Sequence, residues 1–221
     1  MAFGPVMKLT VGKLSIELAP LGRESMGEFV GGMQQASVTR YLAIQAAPTL
    51  EDEVEWFDKV RTDKASLAWG IWVVDDSNRT LIGNTALTSI KRAHIHQATS
   101  GSMIFRQEYW GKGIASDIHK ARTWYAFQHL GLHRVMSAVV QGNIASYRAL
   151  AKSGYEPVYV ERNTVFVEGG LRHQDNLECL NPLDPFWGQW WHGDRPPERS
   201  LEARRRTQAA LTWAQDNVEL L

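Results

Sequence analysis

Residues Met103 to Ser116 constrain this chain most. Met103-Ile104-Phe105 reads as a short apolar strand, Gly111-Lys112-Gly113 as a tight turn, and Ile114 as the start of a helix running to about Leu130. Two glycines at such a corner let the backbone turn with its N–H groups pointing inward, because no Cβ blocks the approach. The first turn of the helix adds unpaired donors and the positive end of the helix dipole. Together they form a seat for a phosphate or pyrophosphate. A Gly-x-Gly turn also begins many helices for reasons of chain path alone, so the corner by itself leaves both readings open. The chain has no Gly-x-x-x-x-Gly-Lys-Ser/Thr, and Gly111–Gly113 is too short for a dinucleotide fingerprint, which argues against both of those phosphate loops.

The segments on either side give the fold class. Met1–Lys8 reads as a loose lead-in, and Leu14–Leu18 alternates apolar and polar like a half-buried strand stopped by Pro20. Arg23–Val30 is expected as a short helix ended by Gly31-Gly32. Val38–Ile44 carries Arg40, Tyr41 and Leu42. Thr49 then caps a helix whose first turn holds Glu51, Asp52, Glu53 and Glu55, acids that favour a helix N-terminus, and whose apolar face is Val54, Trp56, Phe57 and Val60. Leu67–Val74 is a central strand, Asp75–Arg79 a hairpin turn, Leu81–Ser89 its return, and Gln97–Phe105 a third strand after a loop with His94 and His96. Arg134–Val140 follows the long helix as a strand parallel to Met103–Phe105, and Val158–Val167 and Asn176–Leu180 close the series around Gly169-Gly170. The order predicts an α+β fold: a mixed, mostly antiparallel sheet with helices on both faces.

The 221 residues suit one domain at about 8–181 and an appendage at 182–221. Lys+Arg and Asp+Glu are both 24, so global charge advertises neither nucleic acid nor an acidic membrane. The single cysteine, Cys179, excludes an internal disulfide framework and a Cys-based zinc site, and no metal is implied. With no signal-peptide pattern and no apolar run near 18 residues, a cytoplasmic protein is expected.

Trp110-Gly111-Lys112-Gly113-Ile114-Ala115 resembles the Arg/Gln-x-x-Gly-x-Gly/Ala acyl-CoA loop of the GNAT acyltransferase superfamily. Asn143-x-x-Ser146, followed by Lys152-Ser153-Gly154-Tyr155, is similar to the Asn-x-x-Ser…Lys-x-Gly-Phe element of its Rim-type branch, the N-terminal-amine acetyltransferases. The likeness is sharp over Leu81–Tyr155, looser over Lys8–Thr80 and absent after about Pro182. It implies the GNAT fold, in which the two parallel strands splay apart and the pantetheine arm of acyl-CoA lies along the exposed edge, a form of β-augmentation. On that footing main-chain groups of Met103, Ile104 and Phe105 hold the pantetheine. The N–H groups of Gly111, Lys112, Gly113, Ile114, Ala115 and Ser116 hold the pyrophosphate, and Asn143 holds the pantetheine or an ordered water. Arg106 and Lys112 either screen phosphate charge or are solvated surface cations.

The implied reaction is transfer of an acetyl group from acetyl-CoA to a primary amine: a peptide N-terminus, a small amine or an aminoacyl group. Many members place a tyrosine acid where this chain has Leu150. Ser146 stands where the Rim-type branch has its proposed acid, although Asn143-x-x-Ser146 is also an ordinary helix start. The glutamate base of that branch is replaced by Thr99, which leaves His96 as the nearest candidate base, with His94, Glu108 and a water relay as alternatives. The loss of both groups keeps open a binding module without catalysis. Gly170-x-x-x-x-Asp175 is similar to a late Gly…His-Asp run, with His173 and Asp175 near the acceptor or Asp175 simply capping a turn. Phe186, Trp187, Trp190 and Trp191, in a run without helix or strand period, are expected to pack on the domain, a second subunit in a homodimer or the acceptor channel. A helix over Pro197–Leu220 carries Arg199, Arg204, Arg205 and Arg206, either a solvated face or a contact for RNA or an acidic partner.

Overall fold

The apolar stretch Leu67–Asp75 (β3) lies next to the middle strand of the sheet, with Leu67–Ile71 buried on both faces. The computed structural model describes residues 3–42, 46–76 and 78–221. Met1 and Ala2 of the expected lead-in, the end of the Val38–Ile44 segment and Ser77 of the expected hairpin turn lie outside the described residues.

In chain order, β1 (Met7–Val11) and β2 (Leu14–Ala19) form a hairpin. Helices α1 (Met26–Met33), α2 (Ala36–Thr39) and α3 (Leu50–Thr62) follow, then β3, β4 (Asn78–Lys91) and β5 (Gln97–Ile104). Helix α4 (Ile114–Trp124) runs on into a wider π turn at Tyr125–His129, and β6 (Arg134–Val140), α5 (Ile144–Lys152), β7 (Glu156–Val167) and β8 (Gly170–Leu180) come next. A short α6 (Asp184–Trp187), a long α7 (Glu198–Asn217) and β9 (Val218–Leu220) complete the chain. The described strands form one sheet in the order β7-β8-β6-β5-β4-β3-β2-β1-β9. Of its neighbouring pairs, β5 and β6 alone are parallel.

One apolar core joins the sheet to α4 and α7 through Ile114, Ile118, Ala121, Tyr125, Leu211 and Ala214. A second, built on Met26, Phe29, Val38, Phe57, Leu81 and Phe105, joins it to α1–α3. The Thr49 cap forms as the sequence implies, in a full capping box. Thr49 N–H donates to Asp52 Oδ2 at 2.8 Å, and Asp52 N–H donates to Thr49 Oγ1 at 3.2 Å.

Several expectations are corrected. Helix α1 does not stop at Gly31-Gly32 but passes through both. Gly32 serves packing: a Cβ there would lie 2.6 Å from Cβ of Phe105, so the bare backbone lets α1 settle onto the end of β5. The lead-in becomes β1 from Met7 onward, burying Met7, Leu9 and Val11 on one face, a period too short to be persuasive in five residues. The C-terminal helix ends at Asn217, and β9 turns back to pair with β1 (Met7 opposite Leu220, Leu9 opposite Val218). Leu221 N–H also donates to Val6 O. β9 thus covers the edge that β1 would otherwise present.

The late aromatics pack on the domain. Phe186 lies 4.5 Å from the His133 ring, and the Arg134 and Arg204 guanidiniums sit over Trp190 and Trp187. Three of the clustered arginines are matched from within: Arg199 pairs with Glu156, Arg204 with Asp184, and Arg205 with Glu198 and Glu202.

Candidate active site

Pairing between β5 and β6 covers Gln97–Thr99 against Arg134–Met136 and then stops, although β5 continues to Ile104 and β6 to Val140. The last link is Ser137 Oγ donating to Ser100 O at 3.3 Å. Beyond it the pairing ends, and a cavity of about 610 Å³ lies along the last residues of β5 and reaches Gly142 and Asn143, just past the end of β6. Its wall is shared by Ser102–Ile104, the glycine corner, the first two turns of α4, the head of α5 and the Ser37–Leu42 segment.

The corner has the expected geometry. Gly111 and Gly113 have φ of +73° and +88°, a left-handed backbone that glycine adopts without strain. A Cβ at Gly111 would meet nothing within 4 Å, so conformation rather than clearance calls for glycine there. Asp117 N–H makes the first helical bond, to Gly113 O, while the amides of Gly111 to Ser116 donate to no acceptor among the described residues. Five of these six residues, Gly111 and Gly113 to Ser116, line the cavity at the positive end of α4. Arg40, Arg148 and Lys152 line the same cavity, and no Asp or Glu does among the described residues. Arg40 pairs with Glu168, whereas Arg148 and Lys152 have no acidic partner among the described residues. The donors and cations suit a polyanion, and the chain's zero net charge hides that local bias.

Strand β5 offers its edge selectively. Phe105 N–H donates to Ile82 O at 2.9 Å, so the alternation of an antiparallel ladder turns Met103 and Phe105 toward β4 and leaves Ser102 and Ile104 facing the opening. Ile104 O already accepts from Trp110 Nε1 at 2.8 Å, which pins the corner to the strand. Met103 and Ile104 line the cavity but Phe105 does not; its ring packs edge-on against Phe29, 5.3 Å away. Arg106 also points elsewhere, donating to Leu81 O and pairing with Glu28 at 2.9 Å. Lys112 Nζ lies 5.2 Å over the Tyr109 ring, off the cavity wall.

At the head of α5, Asn143 Oδ1 accepts from Ser146 N–H at 3.2 Å. Asn143 is therefore the helix cap, and both residues line the cavity as well. His96 is not brought to this site. Its ring stacks on His133 at 4.7 Å, and its carbonyl accepts from His133 and Arg134 N–H. It precedes β5 at the end remote from Ile104, about 23 Å along an extended strand. Leu150 is buried in the core.

His119 escaped the sequence reading. It lines the cavity from the second turn of α4 while 5 % exposed. Burial first, and the neighbouring Arg122 charge second, hold its pKa well below the usual 6.5, so the ring is neutral. Its position among Ile114, Ile118 and Ala121 was the available signal: a polar residue at the margin of an apolar helix stripe.

Comparison with known proteins agrees with this architecture. The family described as "Acetyltransferase (GNAT) domain" matches residues 16–156. The probable N-acetyltransferase YjcK of Bacillus subtilis is 32% identical over 116 residues, which cover 52% of this chain and 62% of YjcK. The uncharacterized N-acetyltransferase YoaA of the same organism is 30% identical over 135 residues, 60% of this chain and 74% of YoaA. Mycobacterium smegmatis RimJ, solved with CoA-disulfide, superposes with a TM-score of 0.72 at 15% identity over 99% of this chain and 97% of RimJ. Spermidine N-acetyltransferase from Vibrio cholerae, solved with CoA and spermine, gives 0.67 at 20% identity over 75% and 95% of the respective chains. With the splayed parallel strands, the glycine corner and the matched domain all coinciding, the chain belongs to the GNAT acetyltransferase family.

Proposed function

We propose that the chain is an acyl-CoA-dependent N-acyltransferase, moving an acetyl group from acetyl-CoA to a primary amine such as a peptide or protein N-terminus or a small amine. The observation that carries this is the run of unpartnered amides from Gly111 to Ser116, opening on a cavity that continues to the splay of β5 and β6. The diphosphate takes those amides, Arg148 and Lys152 meet phosphate charge, and the pantetheine runs past Ile104 and Ser102. Much of the rate comes from holding a neutral amine against the thioester, worth about 7–11 kcal/mol in well-oriented systems. Ser146 gives a proton to the departing sulfur, and water takes the proton of the amine, since no carboxylate stands on the described wall. His96 has no part in this reading. The Vibrio relative was solved with spermine; the described wall carries no carboxylate to hold a second ammonium group of such a polyamine, which favours an acceptor with one amine.

Calorimetric titration with acetyl-CoA tests the reading. Saturable binding is expected, with at least tenfold weakening in Gly113→Glu, which strains the left-handed corner and brings a carboxylate to the phosphates, a penalty of about 1.4 kcal/mol or more. Absent binding, or an unaffected variant, contradicts it. Free-thiol release with a panel of amines then separates a transferase from a module that only binds. Self-association is read from sedimentation; the outer strand β7 exposes Tyr159, Val160 and Phe166 for such a contact.

A further inference from the structure

Arg122, in the third turn of α4, is wholly buried, and no carboxylate among the described residues pairs with it. Nη1 donates to Thr85 Oγ1 at 2.7 Å, Gly101 O at 3.0 Å and Ser102 Oγ at 2.7 Å. Nη2 donates to His119 Nδ1 at 3.0 Å, and Nε is sealed without a partner. A guanidinium keeps its charge, and burying one without a counter-ion is strongly unfavourable, so this arrangement is retained against stability. Two of its partners, Ser102 and His119, line the cavity.

Arginine has no lone pair to offer, so Nδ1 of His119 must be the acceptor and the ring proton sits on Nε2. That Nε2–H has no partner among the described residues and is not one of the sealed, unpaired side-chain atoms. Its place along the groove follows from the two ends. Phosphates at Gly111–Ser116 anchor a ligand at the corner; β5 leads away from it through Ile104 and Ser102 to Ser100, where pairing with β6 shuts the opening. His119 lies roughly 8 Å along α4 from Ile114, toward that closed end. The far end of a ligand anchored by its phosphates arrives there.

We propose that the His119 Nε2–H is the hydrogen-bond donor to the acyl carbonyl oxygen of the bound thioester, with Arg122 as the positioning residue that fixes its tautomer. The inference rests on the acyl-CoA reading above. As the amine nitrogen bonds to the carbonyl carbon, the C=O π pair moves onto oxygen, where Nε2–H and the buried charge behind it stabilise the oxyanion. The pair returns as the C–S bond breaks and its electrons leave with sulfur. Sulfur takes a proton from Ser146, which regains one from water, and the amine proton also goes to water. His119 keeps its own proton throughout.

Nitrogen-15 NMR of labelled histidine reads this without an acceptor amine. The free protein is expected to show His119 as the Nε2–H tautomer. Saturating acetyl-CoA shifts that proton downfield, whereas free CoA does not. In Arg122→Met the ring samples both tautomers while the melting temperature is not lowered, because Thr85 Oγ1 and Ser102 Oγ still bond each other at 2.6 Å. His119→Leu lowers kcat about a hundredfold and leaves acetyl-CoA affinity nearly unchanged. An Nδ1–H tautomer, or equal responses to CoA and acetyl-CoA, overturns the proposal, as does an Arg122→Met variant that is destabilised with its tautomer intact. If acetyl-CoA does not bind at all, the transferase reading itself has failed, and the titration alone shows it.

Discussion

At the scale of single residues, burial decides which groups react. Cys179 is fully buried, and desolvation pushes its thiol up to about 12 against the opposing effect of the Thr207 hydroxyl. A thiol reagent should therefore leave the native protein unlabelled and modify one cysteine on unfolding. His119 makes a pH prediction. The unfolded ring gains a proton as pH falls through its ordinary 6.5, and the folded ring does not. The unfolded state then binds more protons, so stability is full above that value and drops as pH falls below it. Chemical denaturation of the wild type against His119→Leu should show a stability difference that moves against the wild type from pH 6.5 downward. Ser146→Ala should reduce kcat by about a hundredfold or more while acetyl-CoA affinity holds; loss of affinity with kcat intact would make Ser146 a structural residue only.

At the scale of elements, the sequence was most legible where its period was long or its punctuation strong. Arg134–Val140 and the start at Ile114 were readable to the residue, because a short valine-containing segment between two glycine turns and a glycine corner leave few alternatives. Gly31-Gly32 misled, since a glycine that makes room for Phe105 looks the same in sequence as one that ends a helix. β9 was hidden because three residues carry no period of their own and depend on β1 for partners. Gly154 tells of a contact that no local pattern announces. A Cβ there would fall 2.0 Å from Thr207 Oγ1 and 2.9 Å from Ala203 O, and its φ is +91°. Helix α7 thus rests directly on the turn after α5. Gly154→Ala should cost about 2 kcal/mol or more through overpacking and strain, seen as a lower melting temperature with protease cleavage appearing first near α7.

At the scale of the whole molecule, the make-up of the cavity wall was readable only in part. The corner amides could be anticipated because they follow from Gly111, Gly113 and the head of one helix. Arg148, Lys152 and His119 could not, since their convergence requires α4 and α5 to meet across the splay. Arg106 shows the converse: a cation next to the corner in sequence, turned away by its bond to Leu81 O and its pairing with Glu28. A neutral chain with a cationic cavity implies that ligand affinity comes from the local field. Raising ionic strength should weaken acetyl-CoA binding progressively through screening, with no change in folding.

The central claim is that the free amides of Gly111 to Ser116 receive the diphosphate of acyl-CoA while Ser102 and Ile104 meet its arm. Amide proton–nitrogen spectra recorded during an acetyl-CoA titration test it most directly. The account predicts saturable shifts at Gly111–Ser116, accompanied by Ser102, Ile104 and the head of α5. Saturation without movement of those amides, or shifts gathered on another surface, would contradict it.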